Sequence, residues 1–348
     1  MKKMQLTEEA KLFRGLGSAI SPGMSQQEIL EKSGLNWSVT TAPFEYDTPT
    51  GRMKSSHANT LAAFRSDTGK LLTVVGNSWK PYQNYQLLED FWLFCEQVGL
   101  NPDWAGFVSR KPNSRSHIAS NMAFISAKIP KEQGGIYHLS ADEVLNSRII
   151  FFNHHTYGYG AGSYLLTCRQ ICSNGMTITV KENNSLIRHI QNQIGDQEKI
   201  LQSLNNVKRA FNKYTNDMEA LADFPMSPEE ALAVLIKEFG YVGQPLNKQP
   251  KVVQTCLELF LGHFDDQMEE KGLNLGTTTL AAYRTAYGLL QSVTAYRNHM
   301  SGTGSNTNHV LSLLNGTAAK SSCQVYGSLV KLARLPKSTT VPVSLRGL

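Results

Sequence analysis

The spacing of apolar residues changes partway along this chain, and this change constrains the fold more than any other feature. Up to about residue 182, apolar residues lie in short alternating segments such as 60–64 and 71–75, which is the pattern of strands. Beyond residue 182 they recur every three or four positions, which is the pattern of a helix face. Strands followed by helices predict an α+β fold, in which an antiparallel β-sheet domain with packed helices precedes a helical C-terminal region.

The residues before 183 divide into an N-terminal helical appendage at residues 1–34 and an α+β core domain at residues 35–182. Ser25 and Glu28 form a capping box, which predicts a short helix in the appendage. In the core domain, the apolar spacing over 85–98 predicts a helix with a broad buried face. Further strands are predicted at 105–109, 122–129, 148–152, 164–172 and 176–180.

A heptad pattern marks the helical part of the chain. Seven apolar residues from Ile200 to Leu221 are separated alternately by four and three positions, which predicts one long helix beginning near residue 185. Such a seam packs inside one chain more often than between copies, and both arrangements stay open at this point. The helical region covers 183–335 and a basic extended tail covers 336–348. Other helices are predicted at 250–270, 277–299, 310–314 and 318–332.

The composition excludes several classes of protein. Hydrophobic residues make up 41% of the chain and charged residues 18%, which is too apolar for intrinsic disorder. No apolar run reaches the roughly 18 residues of a membrane span, and the N-terminus lacks the apolar core of a signal peptide. We therefore expect a soluble cytoplasmic protein. The five cysteines show no CxxC spacing, so we predict no disulfide framework, no metal and no other cofactor.

The charge is distributed unevenly along the chain. The net charge is only +6, from 34 Lys and Arg against 28 Asp and Glu. However, residues 271–348 contain eight basic residues and no acidic one, and the stretch between Asp103 and Glu132 also lacks acids. Two separate basic stretches favour a polyanionic partner, of which nucleic acid is the simplest. Chance, together with the needs of a packing face, is the alternative explanation.

The densest polar segment is residues 153–163, which follows an apolar strand and places glycines between tyrosines. Glycines allow close approach to a phosphate, and tyrosines can stack on bases. The segment is neither a P-loop nor a Rossmann fingerprint, and a long hairpin loop with turn glycines explains it equally well. A metal site at His154 and His155 would need further ligands, because neighbouring residues of a strand point to opposite faces.

Two more loops offer cations. Residues 79–84 join the first hairpin to the helix, and residues 110–115 form the turn of another hairpin with three basic residues. No triad, acid pair or nucleophilic cysteine is recognisable, so we predict no catalytic residue, and the case for an enzyme is weak. The residues predicted to contact nucleic acid are Lys80, Tyr82, Arg110, Lys111, Arg115, Lys128, His154, His155, Tyr157, Arg169, Lys331, Arg334 and Lys337.

Several segments resemble a known family, the phage/plasmid-like proteins of the domain of unknown function 932. The resemblance is carried by residues 64–76, followed by Tyr-Gln-Asn at 82–84 before a helix. Residues 167–175 are similar to the family's strand that ends in Cys-Gln-Asn, with serine here in place of glutamine. Residues 153–155 resemble its Asn-Ser-His-Asp-Gly stretch without the aspartate, and residues 286–299 resemble its C-terminal helix.

This resemblance spans most of residues 30–335 and implies replication, recombination or transfer of mobile DNA. The strand, hairpin and helix unit also resembles the β-β-β-α core of phage single-strand annealing proteins, which bind DNA in the basic groove of an oligomeric ring. The second resemblance is one of architecture, and a shared fold does not fix a function.

We therefore expect a single-stranded DNA-binding protein of a phage or mobile element, located in the host cytoplasm, which as a homo-oligomer could promote strand annealing. The alternative is a phage structural or assembly protein without nucleic-acid chemistry, in which the heptad helix and the basic tail contact other proteins. A metal-dependent nuclease that uses His154 and His155 is a third hypothesis.

Overall fold

A computed structural model describes residues 12–55, 59–110, 120–156, 159–169, 175–179, 197–263, 279–301, 305–314 and 316–334. Its strands are β1 Ser18–Ala19, β2 Val39–Ala42, β3 Glu45–Thr48, β4 Gly51–Lys54, β5 Thr60–Arg65, β6 Leu71–Gly76, β7 Pro102–Arg110, β8 Ser120–Lys128, β9 Ile136–Ser140, β10 Glu143–His154, β11 Ala161–Arg169 and β12 Gly175–Thr179. Its helices are α1 Gln26–Lys32, α2 Asn84–Val98, α3 Gln197–Ala222, α4 Pro228–Phe239, α5 Lys251–Phe260, α6 Ala286–Ala295, a π-helix Tyr296–Met300, α7 Asn306–Leu314 and α8 Thr317–Ala333. The predicted α+β class is confirmed.

A large antiparallel sheet forms the centre, with strand order β1-β7-β8-β10-β11-β12 and with β9 beside the first residues of β10. Side chains of β10 alternate between two apolar layers. Ile149 and Phe151 pack with Phe91 of α2, whereas Ile150 and Phe152 pack with Phe13 and with helix α7. Because both faces of the sheet are covered, every position from 149 to 152 is apolar.

A smaller sheet, in the order β2-β5-β6, packs against the large one. Trp37, Leu72 and Trp79 form its buried layer, which reaches Phe107 of β7. Strands β3 and β4 form a separate two-stranded hairpin. The smaller sheet therefore carries the β5–β6 turn to one end of strand β7.

The helical region has its own apolar cluster, to which α3, α4, α5, α6 and α8 contribute. Leu145 of β10 belongs to this cluster, so the helices are continuous with the sheet. Within the predicted heptad seam, Tyr214, Met218 and Leu221 are buried in the same cluster. This end of the seam therefore packs inside the chain. None of the described helices combines the length and apolar character that crossing a bilayer demands.

Local signals located the helix starts well where capping residues are present. Ser25 accepts a hydrogen bond from the Glu28 amide and begins α1, as the capping box predicts. Helix α2 begins one residue before its predicted start and ends at Gly99, which adopts a left-handed conformation with φ of 68°. Strand β9 was not predicted, and the predicted start of the long helix near residue 185 lies outside the described residues.

The predicted helix over 277–299 is wrong in its first part. Residues 280–284 form turns, and α6 begins only at Ala286. Thr285 is its N-cap, with a hydroxyl that accepts a hydrogen bond from the Gly288 amide at 3.1 Å. Arg284 has a positive φ of 54°, which a continuous α-helix cannot contain. The apolar spacing was helical there, but the capping threonine sets the boundary.

Candidate nucleic-acid interface

One end of the large sheet gathers polar side chains that are buried or half-buried, and we call it the polar end. It is defined by Asn84, Ser109, Asn121, Asn153 and His155. Ser109 of β7 lies opposite Asn121 of β8, and the His155 amide donates to the Asn121 carbonyl at 2.8 Å. Three neighbouring strand ends therefore meet there, at the point where α2 begins.

Asn84 ties the beginning of α2 to two other segments. Its side-chain nitrogen donates to the carbonyls of Leu35 and Trp37 at 3.0 and 3.1 Å, so its oxygen faces His155 Nε2 at 2.8 Å. Because that oxygen can only accept, His155 must carry a proton on Nε2. Both side chains are buried, and each hydrogen bond is formed in a region that excludes water.

The two other asparagines attach the remaining segments to the sheet end. Asn121 accepts from the Ser109 hydroxyl at 2.8 Å and donates to the Leu72 carbonyl at 3.3 Å, which fixes strand β6. Asn153 donates to the Tyr82 carbonyl at 2.6 Å, which fixes the loop before α2. The buried Asn153 Oδ1 has no hydrogen-bond partner among the described residues. The amides therefore position both loops that carry basic residues.

An aromatic layer covers His155 on its outer side. Trp37 lies 5.1 Å from the His155 ring and 5.0 Å from the Phe107 ring. The Arg65 guanidinium lies 4.3 Å above the Trp37 ring and bonds both oxygens of Asp67, at 3.0 and 2.7 Å. Arg65 holds the pKa of Asp67 below its usual range. The charge of Arg65 is therefore already balanced by a carboxylate.

Three further cations border the polar end. Lys70, at the β5–β6 turn, donates to the Ser109 hydroxyl at 3.3 Å, and Arg110 follows Ser109 at the end of β7. Lys80 is exposed and lies two residues before Tyr82, whose carbonyl is bound to the sheet. These cations come from three separate segments of the chain. Cations spaced around a rigid strand end can contact successive phosphates of a nucleic-acid backbone.

The polar end brings together Lys80, Tyr82, Arg110, His154 and His155 of the predicted residues, but three of these five are buried. Tyr82 is 1% exposed, and its hydroxyl bonds the Asp90 carboxylate. Burial beside Asp90 raises the pKa of Tyr82 well above its usual value. His154 lies in strand β10, between the rings of Phe152 and Tyr159, and not in a loop.

Tyr82, His154 and His155 are covered by the protein, which gives these side chains structural roles here, and their predicted contacts with nucleic acid stay predictions. His154 and His155 also belong to opposite faces of the sheet, as adjacent strand residues must. In the described part of the chain, no group of three or more His, Cys, Asp or Glu side chains could hold a metal ion. The hypothesis of a nuclease at these histidines has no support there.

Two predicted residues lie at the far end of the sheet. Lys128 of β8 lies opposite Arg148 of β10. It is eight residues from the start of β8, which places it about 26 Å along the strand from the polar end. Arg169, at the end of β11, is buried and forms an ion pair with Glu143. The Glu143 carboxylate also accepts from the hydroxyls of Thr279 and Tyr287, at 2.9 and 3.0 Å. Arg169 therefore has a structural role in this ion pair, and its predicted contact with nucleic acid stays a prediction.

The remaining predicted residues lie elsewhere. Lys331 is exposed near the end of α8, and Arg334 is engaged by the buried carboxylate of Asp217. Lys111, Arg115, Tyr157 and Lys337 lie outside the described residues. Sequence reasoning missed Lys70, Asn84 and Asn121, whose roles depend on contacts between distant segments. Only Lys70 carried a signal, since it follows the predicted turn of the first hairpin.

Comparison with known proteins gives one match. The model of the family described as Domain of unknown function (DUF932) matches residues 71–317, which is more than half of the chain. The chain therefore belongs to this family, and the predicted family resemblance is confirmed. The matched region includes β6, β7, β8 and β10, and thus all five residues that define the polar end. No curated protein and no solved structure matches the chain.

Proposed function

We propose that this member of the DUF932 family binds single-stranded DNA at the polar end. The observation that carries the proposal is the convergence of Lys70, Lys80 and Arg110 on one end of the sheet. Lys111 and Arg115 follow Arg110 in the sequence and add two more basic residues to this segment. The proposed setting is the cytoplasm of a host cell that carries a phage or mobile element.

The buried amides support the proposal because they make the basic surface rigid. Asn121 and Asn153 hold the two loops through hydrogen bonds of 3.3 and 2.6 Å to backbone carbonyls. Cations on fixed loops lose less conformational freedom on binding than cations on free loops. Strand annealing would need only neutralised phosphates and exposed base edges, and it would need no nucleophile. An oligomer that presents several polar ends could promote it.

Fluorescence anisotropy with a labelled oligonucleotide tests the proposal at salt concentrations from about 50 to 200 mM. The test variant is the triple substitution Lys70→Gln, Lys80→Gln, Arg110→Gln. Each lost phosphate contact lowers the salt slope of single-strand binding by about 0.7, so the triple variant should reduce the slope by about 2. Its affinity at low salt should fall accordingly.

A control variant with the same change in charge is Lys237→Gln, Lys248→Gln, Lys251→Gln, since these three lysines are exposed in the helical region. This control should bind DNA as the unmodified protein does. Absence of binding at low salt would overturn the proposal. An equal loss in both triple variants would also contradict it, because the effect would then come from net charge and not from the polar end.

Assembly with other protein chains is the second candidate, and the edge strands favour it. Strand β6 is an edge of the smaller sheet, where Leu71 and Val74 are 52% and 41% exposed. All residues of β4 are exposed as well. Unpaired edges of this kind can add a strand from another chain. Light scattering at high salt measures whether the protein forms stable oligomers. Stable oligomers together with no binding to DNA would favour this candidate.

A further inference from the structure

The N-terminal segment and the C-terminal helices meet at a second polar cluster, which is separate from the polar end. The Arg14 guanidinium donates to the Asn298 carbonyl at 3.0 Å. The Arg14 carbonyl accepts from the Asn306 side chain at 3.0 Å, so Arg14 lies between the π-helix and the start of α7. Arg14 adopts a positive φ of 53°, which is uncommon for a residue other than glycine.

Two histidines belong to this cluster. His299 lies in the π-helix, and its buried Nε2 has no hydrogen-bond partner among the described residues. His309 lies in α7 and is 6% exposed. π-Helical turns and non-glycine residues with positive φ are energetically unfavourable, and both recur at functional sites of proteins. The cluster combines the two features with a buried polar atom that lacks a partner.

The cluster carries the positive charge of the Arg14 guanidinium. The π-helix and α7 both belong to the 78-residue stretch that contains no Asp or Glu. Burial, with a smaller contribution from the Arg14 charge, lowers the pKa of His299 and of His309 to about 4. No carboxylate of the described residues contributes to either shift. At neutral pH the cluster therefore holds one guanidinium beside two neutral imidazoles.

We propose that Arg14, His299 and His309 form a binding site for a phosphate group. Arg14 has five N–H donors and uses one on Asn298, so others can bind phosphate oxygens. His299 Nε2, which has no hydrogen-bond partner among the described residues, would supply a further donor. The phosphate charge would offset Arg14 and stabilise a protonated histidine beside it. Phosphate binding should therefore be coupled to proton uptake at about pH 4 to 5, where the histidines titrate, and this inference does not depend on DNA binding at the polar end.

NMR of the protein labelled with ¹³C-histidine tests the site directly. Inorganic phosphate should shift the signals of His299 and His309 and raise the pKa of at least one of them by about one unit, which is a tenfold change in proton affinity. The exposed His138 serves as the internal reference and should not change. Equal shifts with chloride at the same ionic strength, or no shift with phosphate, would overturn the proposal.

Variants at Arg14 separate ligand binding from a purely structural role. Arg14→Gln should weaken phosphate binding at least tenfold, whereas Arg14→Lys keeps the charge and should retain most of it. Arg52→Gln removes an exposed arginine and should change nothing. Equal binding by Arg14→Gln and the unmodified protein would refute the site.

Oligonucleotides with and without a 5′-phosphate distinguish the source of the phosphate group. A shift at lower concentration with the 5′-phosphorylated strand than with inorganic phosphate would identify a nucleic-acid end as the ligand. The same concentration dependence for both would identify free phosphate. Either result supports the site, and the 5′-hydroxyl strand should not shift the two histidines.

Discussion

Replacing Arg169 with methionine would leave the Glu143 carboxylate buried without its cation. In the folded protein both side chains are almost completely covered, with 2% and 0% exposure. Arg169 Nε donates to Glu143 at 2.6 Å, and a second guanidinium nitrogen bonds the other carboxylate oxygen. The variant would keep only the bonds from Thr279 and Tyr287, at 2.9 and 3.0 Å. These neutral donors cannot balance a buried negative charge.

The cost of this change can be worked out in two ways. Removing one partner of a buried ion pair typically costs about 3–5 kcal/mol. Alternatively, the stranded carboxylate takes up a proton, and holding a glutamic acid protonated at pH 7 costs about 3.7 kcal/mol, since the free side chain ionises near pH 4.3. Both routes give a loss of about 4 kcal/mol in the free energy of unfolding at pH 7.

The second route also fixes the pH dependence. The folded variant would bind one proton that the unfolded chain does not hold at pH 7, so the variant gains stability relative to the unmodified protein as the pH falls. Between pH 7 and pH 5 the loss should shrink by about 2.7 kcal/mol. Urea denaturation followed by circular dichroism, at both pH values, measures this difference.

Two control variants isolate the charge from the packing. The double variant Glu143→Gln, Arg169→Met keeps an acceptor for Thr279 and Tyr287, and it should lose less stability than the single variant and show no pH trend. Arg52→Met breaks an exposed ion pair and should cost less than about 1 kcal/mol. A loss below 1 kcal/mol for Arg169→Met at pH 7, or an equal loss at pH 5 and pH 7, would refute the reasoning.

Two other predictions concern single side chains. Gly135→Ala would place its Cβ 1.9 Å from the Ile129 carbonyl oxygen and should lower the free energy of unfolding by more than about 2 kcal/mol. Gly327→Ala lies inside α8 with nothing within 4 Å of the new Cβ, and it should raise the free energy of unfolding by about 0.5–1 kcal/mol. Urea denaturation of both variants measures these changes. Tyr82→Phe should cost about 1 kcal/mol and raise the pKa of Asp90, because burial already raises that pKa and the Tyr82 hydroxyl opposes the shift; NMR titration of carboxyl groups measures it.

The fold class and most element positions were predictable because they depend on local patterns. Strands β5 and β6 and helix α2 lie within one residue of their predicted bounds, since alternation, turn residues and capping all act over a few positions. The helix predicted at 277–299 shows where this fails. Its first residues have helical spacing, but Thr285 caps the helix and the Gly288 backbone packs too closely on Ala282 for a side chain.

The candidate site was only partly predictable, because its buried members depend on distant partners. Lys80 and Arg110 were identified from charge on loops, which is a local signal. The partner of His155 is Asn84, which lies 71 positions earlier in the chain. The partner of Arg169 is Glu143, 26 positions earlier and on the neighbouring strand. The sequence alone does not distinguish a basic strand residue that faces water from one that pairs with a buried acid.

The uneven charge of the sequence also shows that contacts between distant segments decide where charge lies in the folded protein. The acid-free stretch predicts a strongly basic C-terminal surface, yet Arg334 is bound to Asp217 of helix α3, and Arg284 lies close enough to lower the pKa of Glu229. Acids from an earlier part of the chain therefore balance part of that stretch. Conversely, Lys70, Lys80 and Arg110 belong to three separate segments, and only the tertiary structure brings them to one sheet end. Under the proposed function, the place where a polyanion would bind is therefore set by contacts between segments more than by runs of charge along the sequence.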